Sequence, residues 1–201
     1  MIKIYDDVLT SNEADDIEKN IISSQFPFYI SESSGTVTDD LANEFKDNRY
    51  VKEHWQFVHT TIDYDPDTKK TIFNSDYSHS SIDLLNKFMN KLNVKNYNLA
   101  RSKINFQPQY KNADKHSYNV PHTDMVDDHI VAIYYVNDSD GDTFIFDNNN
   151  KILKRITPKK GRFLLFDGSL KHAGSHPYYS KYRVVVNFDV YSNPALTNIL
   201  S

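Results

Sequence analysis

Val120-Pro121-His122-Thr123-Asp124 is the stretch around which the rest of the chain can be arranged, and it holds the single His-x-Asp of the sequence. Residues two apart on an extended strand point to the same side, so His122 and Asp124 would face one ligand together. A second histidine, His172, follows in a later predicted strand. Two imidazoles and one carboxylate are the ligand set that holds non-haem Fe(II) while leaving coordination positions open. The pattern therefore predicts a metal site.

A lone His-x-Asp also has a simpler interpretation, as a hydrogen-bonded pair on the surface. The downstream His172-Ala-Gly, within a block of strands and turns, favours the metal site. Arg183 begins Arg-Val-Val-Val-Asn-Phe, in which Arg183, Val185 and Asn187 would share one face of a strand. An arginine among apolar residues needs a partner because a buried charge is costly, and its guanidinium matches a carboxylate. That carboxylate could belong to a ligand or to an internal Asp or Glu.

The composition is that of a globular chain, with 201 residues, 39% hydrophobic and 13% aromatic. This length suits one domain with a sizeable core. A net charge of −4 gives no general reason to expect nucleic acid as a partner, although a local groove could still be basic. No apolar run has the length of a membrane span, and the N-terminus lacks a signal-peptide core. With no cysteine for disulfides or thiolate ligands, we expect a soluble, cytoplasmic protein.

Two amphipathic helices precede a block of short strands. Thr10-Ser-Asn-Glu13 is a capping box that predicts a helix from Ser11 to Ser23. A second helix, capped by Ser80 or Ser81, carries an apolar stripe from Leu84 to Leu92. Strands are predicted at Ile2–Val8, Gln56–Ile62, Leu99–Gln107, Asn119–Asp124, His129–Val136, Thr143–Phe146, Lys151–Ile156, Arg162–Phe166 and Tyr182–Tyr191.

This order of elements predicts a mainly β (α+β) fold, a jelly-roll barrel backed by N-terminal helices. We treat residues 1–201 as a single domain. Residues 1–97 would form the supporting helices, strands and a loop, residues 98–191 the jelly-roll catalytic core, and residues 192–201 a C-terminal tail. The polar stretch Ser31–Glu53 is expected to be a long surface loop of the kind that often covers a site.

From Pro121 to Val190 the chain resembles the Fe(II)/2-oxoglutarate-dependent dioxygenases, and specifically their prolyl-4-hydroxylase-like branch. The matching motifs are Pro-His-Thr-Asp at 121–124, Ile-Tyr-Tyr-Val-Asn at 133–137, Gly-Asp-Thr-Phe-Ile-Phe at 141–146, Pro-Lys-Lys-Gly-Arg-Phe-Leu-Leu-Phe at 158–166, His-Ala-Gly at 172–174 and Arg183. The resemblance implies that the jelly roll is a double-stranded β-helix.

The resemblance also implies a role for each candidate residue. Fe(II) would be held by His122, Asp124 and His172, and 2-oxoglutarate would chelate it through its keto and C1 carboxylate oxygens. Arg183 would pair with the far C5 carboxylate of 2-oxoglutarate. Further candidates for contacts with this co-substrate are Tyr135, for which a core aromatic is an equal alternative, Asn187, Asn105 and Gln107.

The reaction implied by the resemblance is hydroxylation of an unactivated C–H bond. It would use O2, release succinate and CO2, and admit ascorbate as an additional cofactor. The substrate expected is a residue of a peptide or protein, with a small free metabolite as the nearest rival. The mechanism requires no protein general base, so no catalytic residue is assigned beyond the metal ligands, and no oligomeric state is predicted.

Two other classes of protein share parts of this pattern. One is a jelly-roll binding module without turnover, and the other is a cupin-like metalloenzyme that does not use 2-oxoglutarate. The intact ligand set together with Arg183 argues against the binding module. Arg183 also separates the dioxygenase from the cupin-like enzyme, because its pairing with a protein carboxylate would favour the cupin-like enzyme. Within the family, collagen-type prolyl hydroxylases have lysine in place of Arg183. DNA-repair demethylases have a second arginine where this chain has Asp189, which disfavours that activity.

Overall fold

The computed structural model describes residues 1–31, 45, 55–65, 67–68 and 70–201. Of the predicted loop Ser31–Glu53, all except Ser31 and Phe45 lies outside the described residues. The described helices are α1 (Ser11–Ile21), α2 (Ser78–Lys91) and α3 (Pro194–Leu200). The strands are β1 (Ile2–Tyr5), β2 (Tyr29–Ser31), β3 (Gln56–Tyr64), β4 (Thr71–Phe73), β5 (Leu99–Pro108), β6 (His129–Tyr135), β7 (Thr143–Phe146), β8 (Ile152–Ile156), β9 (Phe163–Asp167), β10 (His172–Gly174) and β11 (Tyr182–Tyr191).

These strands form two antiparallel sheets. The larger has eight strands in the order β1-β9-β6-β11-β5-β3-β2, with β4 paired to β3, and the smaller has the order β10-β7-β8. The mainly β prediction is confirmed in this coarse form, while the jelly-roll winding stays a prediction. None of the described helices is long and apolar enough to cross a membrane.

The centre of the larger sheet is buried on both faces, as the uninterrupted apolar sequence of β6 predicts. Ala132 and Tyr134 face a core that includes Leu85 and Phe88 of α2. The alternate residues Val131, Ile133 and Tyr135 pack with Ile145 and Ile156 of the smaller sheet. Because side chains alternate across a strand, one run of apolar residues can serve both cores. The molecule is thus layered, with helices on one face of the large sheet and the small sheet on the other.

The two predicted helices differ in how they begin. In α1 the capping box is present, since the Thr10 hydroxyl accepts from the Glu13 amide at 3.3 Å and Glu13 accepts from the Thr10 amide at 2.8 Å. The predicted Ser80 or Ser81 cap of the second helix is wrong, because α2 begins at Ser78 without a side-chain cap. The Ser81 hydroxyl instead shares a 3.0 Å hydrogen bond with the hydroxyl of Thr61. Ser81 therefore joins α2 to β3.

Two further expectations differ from the structure. The predicted strand Asn119–Asp124 is wrong, because this segment is irregular and joins β10 through an isolated bridge between His122 and His172 and a 2.8 Å hydrogen bond from the Asn119 amide to the Gly174 carbonyl. The tail at residues 192–201 contains α3, in which Asn193 caps the amide of Leu196 at 3.0 Å. Leu196 and Leu200 are buried in the core beside the large sheet.

Candidate metal centre

Two histidines are held side by side by backbone pairing. The His122 amide donates to the His172 carbonyl at 3.0 Å, and the His172 amide donates back at 2.9 Å. Residues paired in this way across antiparallel segments carry their side chains on the same face. The two imidazole rings accordingly have centroids 4.9 Å apart. The bridge between His122 and His172 thus places the two imidazole rings side by side, although residues 119–124 do not form the predicted strand.

Asp124 completes a three-residue cluster with these histidines. One of its oxygens lies 3.2 Å from Nε2 of His172, and the other lies 3.9 Å from Nε2 of His122. One potential ligand atom from each residue can be chosen so that all three lie within 4.8 Å of one another. The Nδ1 of His122 donates to the Val120 carbonyl at 2.9 Å, which leaves Nε2 with its lone pair free for a metal. The donor set therefore fits a divalent metal that accepts two imidazoles and one carboxylate.

The protonation preferences of the cluster also suit a cation. Burial, reinforced by the nearby His172, lowers the pKa of His122 to about 4, so this ring is neutral at pH 7. Burial opposes ionisation of Asp124, but His172 and Arg101 outweigh it and hold the pKa of the carboxyl well below its ordinary value. Asp124 likewise outweighs the effect of burial on His172 and raises the pKa of its ring.

Arg101 was not predicted from the sequence, yet it contacts the cluster directly. Its NH2 group donates to Asp124 at 2.5 Å, and its Nε donates to Asp189 at 2.7 Å. Asp189 is fully buried, and burial together with the charge of Asp124 raises its pKa to about 8. One guanidinium therefore orients the carboxylate of the candidate ligand and joins it to a second carboxylate behind it.

Asn187, predicted as a contact of the co-substrate, reaches the same carboxylate. Its Nδ2 donates to Asp124 at 3.1 Å, and its Oδ1 is buried without a partner among the described residues. Asn187 thus holds Asp124 from one side while presenting an acceptor oxygen. Its contact with a co-substrate stays a prediction.

A cavity of about 260 Å³ connects the cluster to Arg183. The guanidinium of Arg183 is buried, and it donates to Gln107 at 2.7 Å and to the hydroxyl of Thr143 at 2.8 Å. Its Nε has no hydrogen-bond partner, and within the described part of the chain no carboxylate forms an ion pair with it. A Cβ at Gly174 would come within 3.1 Å of this guanidinium, so a side chain at this position would crowd Arg183. Arg183 is therefore a buried cation that has no anionic partner among the described residues.

Tyr135 lies behind Arg183 instead of in the cavity wall. Its hydroxyl donates to Thr143 at 2.8 Å, and its ring centroid lies 6.0 Å from the centre of the Arg183 guanidinium. Burial raises the pKa of Tyr135 to about 12, so the phenol stays protonated. Thr143, which the sequence analysis did not single out, accepts from both Tyr135 and Arg183. The hydroxyl proton of Thr143 is therefore left to donate to a ligand.

Other polar atoms of the cavity wall also lack partners. Asn119 is 1% exposed and Gln56 is 2% exposed, and both line the cavity with buried amide atoms that make no hydrogen bond. The Oδ1 of Asn105 is in the same state. Buried polar atoms without partners are costly, so their concentration around one cavity points to a polar ligand. The cavity therefore has the candidate metal ligands at one end, the Arg183 guanidinium without an ion-pair partner among the described residues at the other, and polar walls between them.

No family model matches the chain, and no curated protein matches its sequence. Solved structures do match its fold. The structure of a 2OG-Fe(II) oxygenase family oxidoreductase from Burkholderia pseudomallei has a TM-score of 0.67 at 13% identity, with 94% of this chain and 84% of that chain covered.

Two further matches have named activities. A prolyl hydroxylase from Trichoplax adhaerens, solved in complex with a hypoxia inducible factor peptide fragment, has a TM-score of 0.55 at 18% identity, covering 100% of this chain and 87% of that one. The non-heme alpha-ketoglutarate-dependent epimerase SnoN from nogalamycin biosynthesis has a TM-score of 0.56 at 9% identity, covering 95% and 78%. This chain therefore has the fold of the 2OG-Fe(II) oxygenases.

Proposed function

We propose that this protein is an Fe(II)- and 2-oxoglutarate-dependent oxygenase that hydroxylates an unactivated C–H bond. One observation carries the proposal: the His122, Asp124 and His172 cluster and the unpaired guanidinium of Arg183 line the same cavity. A divalent metal and a dicarboxylate would satisfy both ends of this cavity at once. The fold shared with 2OG-Fe(II) oxygenases is consistent with that assignment.

Each residue would have a defined task. His122, Asp124 and His172 would hold Fe(II), and Arg101 and Asn187 would keep the Asp124 carboxylate turned toward it. Together with 2-oxoglutarate and O2, the bound iron supplies the oxidising power for hydroxylation, with succinate and CO2 as the other products.

At the far end of the cavity, the co-substrate would be bound by its C5 carboxylate. Arg183 would pair with this group, and the Thr143 hydroxyl would donate to it. Gln107 and Tyr135 would keep these two donors in place. The apolar walls formed by Ile133 and Val185 would exclude water from the reacting atoms.

A residue of a peptide is the substrate we favour. The Trichoplax prolyl hydroxylase was solved with a peptide fragment, and that structure covers the whole of this chain. A small metabolite is the alternative, and the epimerase SnoN has a related fold.

The two rival classes are less consistent with the cavity. A cupin-like enzyme that does not use 2-oxoglutarate was expected to pair Arg183 with a protein carboxylate, and no such pair occurs in the described residues. A non-catalytic module would have no need to bury Arg183 and the ligand cluster, since unpaired polar groups in a core lower stability.

The test is anaerobic visible absorbance of the purified protein with Fe(II), before and after 2-oxoglutarate, repeated with His122→Ala. A weak charge-transfer band that needs both additions and the intact histidine is expected. Absence of the band in a protein that binds iron would favour the cupin-like enzyme. Absence of iron binding would favour the non-catalytic module.

A further inference from the structure

Lys103 lines the cavity beside the candidate metal centre. It lies on β5 between Arg101 and Asn105, and the β-sheet register places it directly opposite Asn187 of β11. Asn187 in turn donates to Asp124, the carboxylate among the three candidate metal ligands. Lys103 therefore lies on the β5 wall of the cavity, at the end that holds the candidate metal ligands.

Lys103 differs from the other cations of the cavity in its lack of partners. Arg101 pairs with two carboxylates, and Arg183 donates to Gln107 and Thr143. Lys103 is half-buried, yet it forms no hydrogen bond or ion pair with the residues that the structure describes. Burial, and then the charge of Arg101, lowers the pKa of its ammonium group.

A charge count of the loaded site leaves Lys103 unmatched. Asp124 and the C1 carboxylate of 2-oxoglutarate would offset the two charges of Fe(II). Arg183 would be offset by the C5 carboxylate, and Asp189, whose pKa is raised, offsets Arg101 only when it is ionised. The ammonium group of Lys103 remains, and a partly buried cation is stabilised by an anion that is held close to it. In the proposed reaction, the molecule still to be added is the primary substrate.

Two neighbours of Lys103 on the sheet, Asn187 and Asn105, carry acceptor oxygens without partners. The Oδ1 of Asn187, a residue that is 6% exposed, has no partner, and its orientation is set by the donation from Nδ2 to Asp124. The Oδ1 of Asn105, the next cavity residue along β5, is also without a partner. A ligand that bound here would match these groups with a negative charge and a neighbouring N–H or O–H donor.

We infer that Lys103 forms a binding subsite for a carboxylate or other anionic group of the primary substrate, next to the metal centre. The inference rests on the proposed function, because the charge count assumes bound Fe(II) and 2-oxoglutarate. The anionic group would belong to an acidic side chain in a peptide or to a free amino-acid-like metabolite. Either ligand also carries an N–H group that could donate a hydrogen bond to the Oδ1 of Asn187.

This subsite is separate from the binding site of the far carboxylate of 2-oxoglutarate. Gln107, which fixes Arg183, is four residues from Lys103 on β5, or about 13 Å along the strand. Lys103 could still contact the end of 2-oxoglutarate that chelates the metal. The experiment must therefore measure binding of the co-substrate and of the substrate group separately.

The test uses protein loaded with Mn(II) and N-oxalylglycine, an unreactive pair that replaces Fe(II) and 2-oxoglutarate. Calorimetry first measures the affinity of each variant for these two ligands. It then compares matched acids and amides: N-acetylaspartate with N-acetylasparagine, and the blocked peptide Gly-Pro-Asp-Gly with Gly-Pro-Asn-Gly. The variants are Lys103→Met, Lys103→Arg and, as a control on the other sheet, the exposed Lys154→Met.

In the wild type, the acid of at least one pair should bind about tenfold tighter than its amide. Lys103→Met should abolish this preference, while Lys103→Arg and Lys154→Met retain it. A preference in the amino-acid pair alone would identify a free metabolite, and one in the peptide pair would identify a peptide.

The inference is overturned if neither acid is preferred, or if Lys103→Met keeps the preference. It is also overturned if Lys103→Met weakens N-oxalylglycine binding about tenfold, because Lys103 would then belong to the co-substrate site. A wild-type protein that binds neither Mn(II) nor N-oxalylglycine would instead refute the proposed function, and that result is visible before any substrate probe is added.

Discussion

The Arg183 guanidinium donates a 2.8 Å hydrogen bond to the Thr143 hydroxyl and thereby ties the large sheet to the small one. The phenol of Tyr135 donates to the same oxygen, also at 2.8 Å. Two buried donors thus converge on one hydroxyl at the end of the cavity. The position of Arg183, on which binding of a dicarboxylate would depend, is set by a threonine on the opposite sheet.

Replacement of this hydroxyl should affect both stability and binding. Thr143→Val keeps the shape of the side chain but leaves two buried donors without an acceptor, so we expect a loss of about 1–3 kcal/mol in the free energy of unfolding. N-oxalylglycine should also bind more weakly, and Thr143→Ser should restore both properties. Chemical denaturation and calorimetry would measure the two effects, and a fully stable Thr143→Val protein would contradict the arrangement.

Removal of the guanidinium should separate binding of the co-substrate from binding of the metal. In Arg183→Ala, affinity for 2-oxoglutarate should fall by about 100-fold, because its C5 carboxylate would lose the cation that matches it. Mn(II) affinity should change little, since Arg183 lies at the other end of the cavity. Arg183→Lys, which keeps the charge without the planar fork, should fall between the two. An unchanged affinity for 2-oxoglutarate in a folded Arg183→Ala protein would show that this arginine is structural.

The Arg101 guanidinium should contribute to the free energy of unfolding of the metal-free protein. Arg101→Met leaves the ionised Asp124 buried without its cation and removes the hydrogen-bond donor of Asp189, for which we expect a loss of about 3–5 kcal/mol in the free energy of unfolding. The double variant Arg101→Met/Asp189→Asn removes the second buried carboxyl group beside Asp124 and should recover part of that loss. Urea denaturation of the four proteins in the cycle would test this, and strictly additive effects would argue against the pair.

The sequence was sufficient to predict residues whose spacing carries information by itself. His122, Asp124 and His172 follow from one His-x-Asp and a later histidine, and the structure brings them together. Arg183 follows from a charge within an apolar strand. The predicted strand at 119–124 was wrong because the His-x-Asp spacing was read as an extended strand, whereas the segment is irregular and forms only an isolated bridge at His122.

Residues whose role depends on pairing between distant strands could not be predicted. Arg101 contacts Asp189 because β5 and β11 are neighbours with these residues in register, and neither the neighbour nor the register is visible in one sequence. Thr143 meets Arg183 across two sheets for the same reason. By contrast, α3 had a local signal in Asn193-Pro194, a cap followed by proline in the first turn, that could have been used.

The two histidines should differ in the protons that they release when a metal binds. His122, with a pKa near 4, is neutral at pH 6.5 with its one ring proton on Nδ1, and Asp124 is already ionised. Because the pKa of His172 is raised above its ordinary value of 6.5, more than half of these rings are protonated at pH 6.5, and a metal must displace that proton.

We therefore expect Mn(II) binding to release between about half a proton and one proton at pH 6.5, and metal affinity to fall by up to about tenfold per unit as the pH drops below the pKa of His172. Calorimetry in two buffers with different ionisation enthalpies measures the number of protons released per Mn(II) bound. The variant of the exposed His116, His116→Gln, should leave it unchanged. Release of about two protons would mean that His122 is also charged before the metal binds, and release of none would mean that Asp124 does not raise the pKa of His172.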